Sequence, residues 1–263
     1  MAVKFFGGIE MKKLLLSMLL TISFCVVSLF GGGIAQAAQK TLMIGTAFDF
    51  APFEFQDEYS NEYQGFDMDL IRAIANQMGC NISIVDMEFD NLIFGIQNED
   101  IDLAIAAITI NDERAEKVNF SDPYFETGLQ IVLPAKDYWT KGIKDLEGKK
   151  IAVLTGSMGA TQAQKIRNSK VKVFNDIDDC FVELKNVNVD AVINDRAVNG
   201  YFIAAHPEFK FKTLPNLITN DKYGIIVAQN NSTLLADVNR ALKALRDSGE
   251  YDKIYSKWFG NTK

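Results

Sequence analysis

Along most of this chain the hydrophobic pattern switches repeatedly between a strand-like and a helix-like period, and that switching most restricts the fold. TLMIGTAF (41–48) reads as a strand, and MDLIRAIANQMG (68–79) as a helix closed by Gly79, a suitable C-cap. NISIVDME (81–88) reads as a strand and NLIFGIQNED (91–100) as a short helix. IDLAIAAIT (101–109) is apolar at nearly every position, so it reads as a strand buried on both faces. KIAVLTGSMGATQAQKI (150–166) repeats the strand–loop–helix order, followed by strand KVKVFN (170–175), a helix near 178–185 and strand VDAVIND (189–195). KYGIIVAQ (222–229) is a late strand, and LLADVNRALKALRDSG (234–249) a helix with Leu235, Val238, Leu242 and Leu245 on one face. Such alternation implies an α/β fold with mainly parallel sheets. The 263 residues allow one large or two small domains, and no repeat or low-complexity linker marks a boundary.

The first segment is set apart. Lys12 and Lys13 precede an apolar run from Leu14 to Phe30, and Ala35-Gln36-Ala37 has the small-x-small form of a cleavage site. Residues 1–37 are therefore expected to be a secretory signal, with Met1 or Met11 as the start and Ala38 as the mature N-terminus; the alternative is a retained membrane anchor, against which Gly31–Gly33 and the small residues after them argue. Cys25 follows bulky Phe24, which argues against lipid attachment. Loss of Lys4, Glu10, Lys12 and Lys13 leaves 24 basic and 33 acidic residues, a net charge of −9. That balance disfavours nucleic acid and anionic membranes as partners. No later apolar run reaches the ~18 residues a spanning helix needs. An exported, unlipidated chain points to the periplasm of a diderm bacterium. Cys80 and Cys180 remain, and an exported chain permits a disulfide.

The stretch AAITINDERAEKVNFSDPY (106–124) carries the most chemistry. Asn111 is a good N-cap, Asp112 and Glu113 suit a first helical turn, and Arg114 falls at the third helical position. A guanidinium beside free helix N–H groups can hold a small carboxylate; a surface ion pair of Arg114 with Asp112 or Glu113 explains the same residues. Gly156-Ser157-Met158-Gly159 joins a strand to a helix. It can present N–H groups to an anion, or be a plain turn. It lacks the endings of phosphate and dinucleotide loops. Catalytic and metal signals are thin. His206 is the one histidine, no His/Cys/Asp cluster has metal spacing, and no nucleophile elbow occurs. No cofactor is expected.

These segments resemble, in order, those of the periplasmic polar amino-acid-binding proteins, the type 3 solute-binding family of amino-acid ABC importers. GTAFDFAPFEFQ (45–56) is similar to the family's first strand and aromatic loop, and YQGFDMDLIRAIANQMG (63–79) to its Gly-Phe-Asp-x-Asp-Leu helix. DAVINDRAVNGYF (190–202) resembles its Asp-Ala-Val-x-x-Asp segment and YDKIYSKWFG (251–260) its closing helix. The resemblance implies a two-lobe periplasmic-binding-protein fold with a ligand cleft between lobes joined by two crossing strands, near residues 125–129 and 219–223. It implies a discontinuous first lobe, 38–126 and 222–263, and a second lobe, 127–221; Cys80 and Cys180 then fall in different lobes, so two buried free thiols are expected rather than a disulfide.

For the site, the resemblance implies that Arg114 and the N–H of Met158 meet a ligand carboxylate. Thr109 contacts carboxylate and amine, the carbonyl of Ala107 accepts from the ammonium, and Asp195 pairs with it. Phe50 and Phe89 sandwich the side chain, although aromatics of this loop can equally be core, as expected of Phe53 and Phe55. Asp49, two residues beyond Ala47 where many members have an acid, and Asn194 are available to a polar tail. Leu154 stands where some members have a lysine. The implied function is capture of a polar L-amino acid, arginine or glutamine, and delivery by hinge closure to the membrane subunits of an ABC importer, by a monomer without enzymatic activity. The alternative is a cyclohexadienyl (prephenate or arogenate) dehydratase-like enzyme on the same scaffold. A sensory domain ranks last, because such domains normally continue into a membrane helix.

Overall fold

The computed structural model describes residues 40–57 and 60–260, so the expected signal segment and Cys25 lie outside the described residues. Two five-stranded sheets organise the rest. In the first, Thr41–Thr46 lies between Asn81–Asp86 and Leu103–Ala104, parallel to both, and Ile226–Val227 and Asn119–Phe120 add antiparallel strands at the far side. In the second, Lys150–Leu154 lies between Lys170–Phe174 and Ala191–Asp195, again parallel to both, and Leu129–Pro134 and Phe211–Thr213 follow antiparallel. The two sheets share one pattern of strand direction, which the sequence does not betray by any repeat.

Each sheet is the core of a lobe, as the alternating pattern demands. Helices Phe66–Met78 and Ser232–Asp247 bury Leu70, Ile71, Ile74, Leu234, Val238 and Leu242 with Leu42 and Ile44 of the first sheet. Met158–Gln164 buries Ala160 and Ala163 with Ile151, Val153 and Ile193 of the second. Gly79 takes the left-handed C-cap conformation, φ 66°, and its N–H bonds back to Asn76.

The chain passes between lobes through Phe125–Thr127 and Asp221–Tyr223, which pair antiparallel as a two-stranded ribbon. Aromatic rings pin this ribbon. Phe53 meets Phe125 edge-on at 4.9 Å and Tyr223 at 5.2 Å, and Phe125 lies 4.9 Å from Phe259 of the last helix, Glu250–Phe259. Each such pair contributes ~0.5–1.5 kcal/mol beyond its buried area. The ribbon is therefore fastened to the first lobe.

Three expectations are corrected. The run 101–109 is buried as expected, but only Leu103–Ala104 is strand. Ala107 has φ 45°, a left-handed conformation that takes the chain out of the ladder. The segment 222–229 is two short strands in different sheets, broken at Gly224, where a Cβ would lie 2.9 Å from the Phe120 ring and 3.1 Å from Ile110. Both cysteines are free, but only Cys180 is buried; Cys80 is partly exposed.

Candidate functional site

Arg114 is placed from its own segment outward. Asn111 caps the helix as expected, its side chain accepting from the Arg114 N–H at 2.9 Å. The helix is Asp112–Ala115, a single turn, so too few dipoles align to give the field expected of a longer one. The side chain turns inward and is 9 % exposed. Its Nη1 donates to the Thr109 carbonyl at 2.9 Å, its Nη2 to the Gly156 carbonyl of the second lobe at 3.1 Å, and its Cζ lies 5.1 Å from the centre of the Phe89 ring. A surface ion pair is not what this arginine makes; Glu113 pairs instead with Lys117 at 3.1 Å. A guanidinium has five N–H donors, so donors remain for a carboxylate.

The facing wall comes from the second lobe. Ser157 caps Met158–Gln164 by accepting from the Ala160 N–H at 3.1 Å. Met158, first in that helix, has no carbonyl four residues back for its N–H. Its sulfur accepts from Asn111 Nδ2 at 3.3 Å, so the Arg114 turn and the Met158 turn touch across the lobes.

Arg114, Thr109, Ala107, Phe50, Phe89, Met158, Asp49 and Asp195 line one narrow cavity between the lobes. The expected sandwich is not symmetric: Phe89 lies against Arg114, while Phe50 is nearly buried, 6.2 Å from Phe53. Asn194 does not join them. Residues alternate faces along Ala191–Asp195, so Asp195 at the strand end lines the cavity and Asn194 turns away, its carbonyl accepting from Asn199 Nδ2 at 3.0 Å. Leu154, Thr155, Ser157 and Glu54 also line it. Glu54 was missed, and its signal was an acid between two phenylalanines in Phe53-Glu54-Phe55.

The cavity is short of cations. Burial raises the Asp195 carboxyl to about 6; Tyr223, Thr127 and Arg114 oppose that rise and Asp221 adds to it. Although Asp195 precedes helix Arg196–Ala205, its side chain makes no capping bond. Burial, then the like charge of Asp176 on the second lobe, raises Asp49 to about 6. Asp176 itself caps helix Ile177–Lys185, its Oδ1 accepting from the Asp178 N–H at 2.8 Å. Among the described residues no group of three or more His, Cys, Asp or Glu is placed to hold a metal. No described helix is long and apolar enough to cross a membrane.

Comparison with known proteins identifies the family. Residues 42–261 match the model for bacterial extracellular solute-binding proteins, family 3. A probable histidine-binding protein of Neisseria gonorrhoeae is 35% identical over 226 residues, covering 84% of this chain and 83% of that one. The ABC transporter arginine-binding protein 1 of Escherichia coli (strain K12) is 33% identical over 256 residues, covering 95% and 99%. A solved structure of an ancestral arginine-binding protein bound to arginine superposes with a TM-score of 0.81 at 40% identity, covering 85% of this chain and 100% of that one. With the family model spanning nearly every described residue, and two lobes around a lined cleft, the chain belongs to the bacterial extracellular solute-binding proteins, family 3.

Proposed function

We propose that this protein captures one L-amino acid with a cationic side chain, arginine foremost, between its lobes and presents it to an ABC importer. The observation that carries this reading is the charge of the cleft: one cation, Arg114, against the carboxyl groups of Asp49 and Asp195. A zwitterion enclosed between lobes needs both of its charges met. Arg114 and the Met158 N–H take the carboxylate, and Thr109 serves carboxylate and amine. Asp195 takes the ammonium with the Ala107 carbonyl. A second ligand cation then settles the repulsion between Asp49 and Asp176, which closure brings to face each other from opposite lobes. A neutral amide tail, as in glutamine, leaves that repulsion in place.

The lobes divide in this reading at 126/127 and 221/222, and closure bends the ribbon of Phe125–Thr127 and Asp221–Tyr223. The names of the relatives, arginine-binding and histidine-binding, support a basic amino acid. Export to the periplasm from a mature start at Ala38 completes the reading; intact mass of the exported protein tests it, and retention of residues 12–37 refutes it.

A thermal-shift screen of the twenty amino acids, followed by calorimetry, is the decisive experiment, because a ligand that binds only the native state raises its melting temperature. Arginine should give the largest shift. Response only to sugars, peptides or dicarboxylates, or to leucine alone, refutes the proposal. Turnover of prephenate or arogenate by the same preparation replaces it with an enzymatic one.

A further inference from the structure

Beneath the cleft lies a pair of acids to which the proposed binding chemistry gives no task. Glu54 is 1 % exposed and Asp67, in the first turn of Phe66–Met78, is fully buried. The two carboxyl groups lie within hydrogen-bond reach of each other. Asp67 Oδ2 is well served: it accepts from the Tyr124 hydroxyl at 2.7 Å and from the Ala107 N–H at 2.8 Å. Asp67 Oδ1 and Glu54 Oε2 are both buried without a partner. Two interacting carboxyl groups, each with a buried oxygen lacking a donor, are the mark of a missing hydrogen.

We propose that Glu54 and Asp67 share one buried proton, carried by Glu54 and donated to Asp67, and that this proton holds Ala107 in its ligand-binding conformation. Asp67 then stays ionised and keeps its grip on the Ala107 N–H. That grip has a purpose, since Ala107 sits at φ 45°, which a side-chain-bearing residue adopts only under constraint. Ala107 lines the cleft beside Glu54. Glu54 and Asp67 are thus positioning residues for the corner at Ala107.

The charged surroundings agree. The acids facing Glu54 are Asp67 beside it, Asp49 from its own antiparallel neighbour strand and Asp195 from the second lobe. The phenols around the pair are Tyr124, Tyr223 of the ribbon and Tyr251 of the last helix. Arg114 lines the same cavity, engaged with the Thr109 and Gly156 carbonyls. Burial and these acids favour the protonated form of Glu54.

This inference rests on the cleft being the amino-acid site, so its test includes a reading that needs no ligand. Infrared difference spectra between wild type and Glu54→Gln at neutral pH should contain the carbonyl stretch of one protonated carboxyl group, lost in the variant. Its absence from wild type overturns the shared proton, whatever the protein binds.

Ligand binding supplies the second reading. Glutamine at 54 offers a permanent N–H donor in place of the proton. Glu54→Gln should therefore bind arginine within about threefold of wild type at pH 7. As pH rises into the alkaline range, wild type should lose affinity at least about tenfold relative to the variant; the ligand's own ammonium titrates alike against both. A loss above about tenfold in Glu54→Gln at pH 7 means that ionised Glu54 meets the ligand, and overturns the proposal. Parallel pH profiles overturn it too. Asp67→Asn should weaken binding at least about tenfold, and adding Ala107→Gly should recover about threefold or more, because glycine adopts the left-handed corner unaided. No recovery in a folded double variant removes Ala107 from the argument.

Discussion

The Arg114 guanidinium, rooted in the first lobe, donates to the Gly156 carbonyl of the second at 3.1 Å. One side chain thus binds the lobes to each other, and on the proposed reading it also binds the ligand to both. The bond can exist only when the cleft is shut. On that reading Arg114 couples occupancy of the site to closure, and its removal should cost more than a rim charge would.

Arg114→Ala should weaken amino-acid binding at least about tenfold while leaving the protein folded. Truncating one partner of a buried, hydrogen-bonded charge pair costs roughly 2–5 kcal/mol, or about thirty- to several-thousand-fold; the lower bound allows for the Met158 N–H. Arg114→Lys should recover only part, because a point charge cannot replace the planar fork. Calorimetry decides: affinity within about threefold of wild type in folded Arg114→Ala, a change under ~1 kcal/mol, would move the carboxylate elsewhere.

Gly156 tests closure itself. It has φ 62°, and a Cβ built there would lie 1.8 Å from Asp90 Oδ1 of the first lobe. A side chain at this position conflicts with the first lobe only when the lobes meet. Gly156→Ala should bind several-fold more weakly, by roughly 1 kcal/mol. In X-ray scattering wild type should contract on saturation with ligand, and the variant should contract less. Equal contraction and equal affinity would show that Asp90 swings aside without consequence.

The Asn111 cap and the place of Arg114 in the turn were legible because that segment is self-sufficient; that the Arg114 side chain turns inward to the Thr109 carbonyl was not, since a surface ion pair explains the same residues. The strand–helix order was legible for the same reason as the cap. Ala107 was not, since its left-handed corner is held by Asp67, forty residues away in sequence. Asn194 and Asp195 show another limit. Neighbours on a strand face opposite ways, and a chain read without its sheet does not say which side is the cleft. Glu54 and Asp67 stayed hidden because an acid is by default a surface residue, and only the packed aromatic surroundings reveal them as buried.

Stability of the ligand-free protein should fall as pH rises from about 5 to about 8. Asp67 and Asp195 stand at about 6 in the folded chain, chiefly through burial, against ~3.9 when unfolded. Between those values the folded state holds protons that the unfolded state has released. Their contribution to stability is therefore complete below about pH 4 and is lost as pH climbs through about 6. Glu54, raised further, extends the loss toward alkaline pH. Melting curves should show a drop of several degrees across this range. A melting temperature that rises throughout it would mean that these acids are ionised in the folded protein at every pH tested.

Asp49 decides between a cationic and an amide ligand. It lines the cavity from the first lobe, and burial, then the charge of Asp176 from the second, raises its carboxyl to about 6. A ligand cation between the two favours the ionised form of Asp49, so arginine binding should release protons and tighten as pH rises from about 5 to about 7. Glutamine should show less of this dependence; what remains comes from Asp195, which meets the ammonium of either ligand. Asp49→Asn removes the charge but keeps the shape. A hydrogen bond to a charged group contributes ~1.5–3 kcal/mol, so the variant should lose roughly ten- to a hundred-fold in arginine affinity. Its glutamine affinity should change little, or improve as the repulsion with Asp176 is relieved. Competition calorimetry with both ligands reads this as a ratio. If Asp49→Asn keeps the wild-type preference between arginine and glutamine, the side chain of the ligand does not reach Asp49, and its recognition must be assigned to other residues of the cleft.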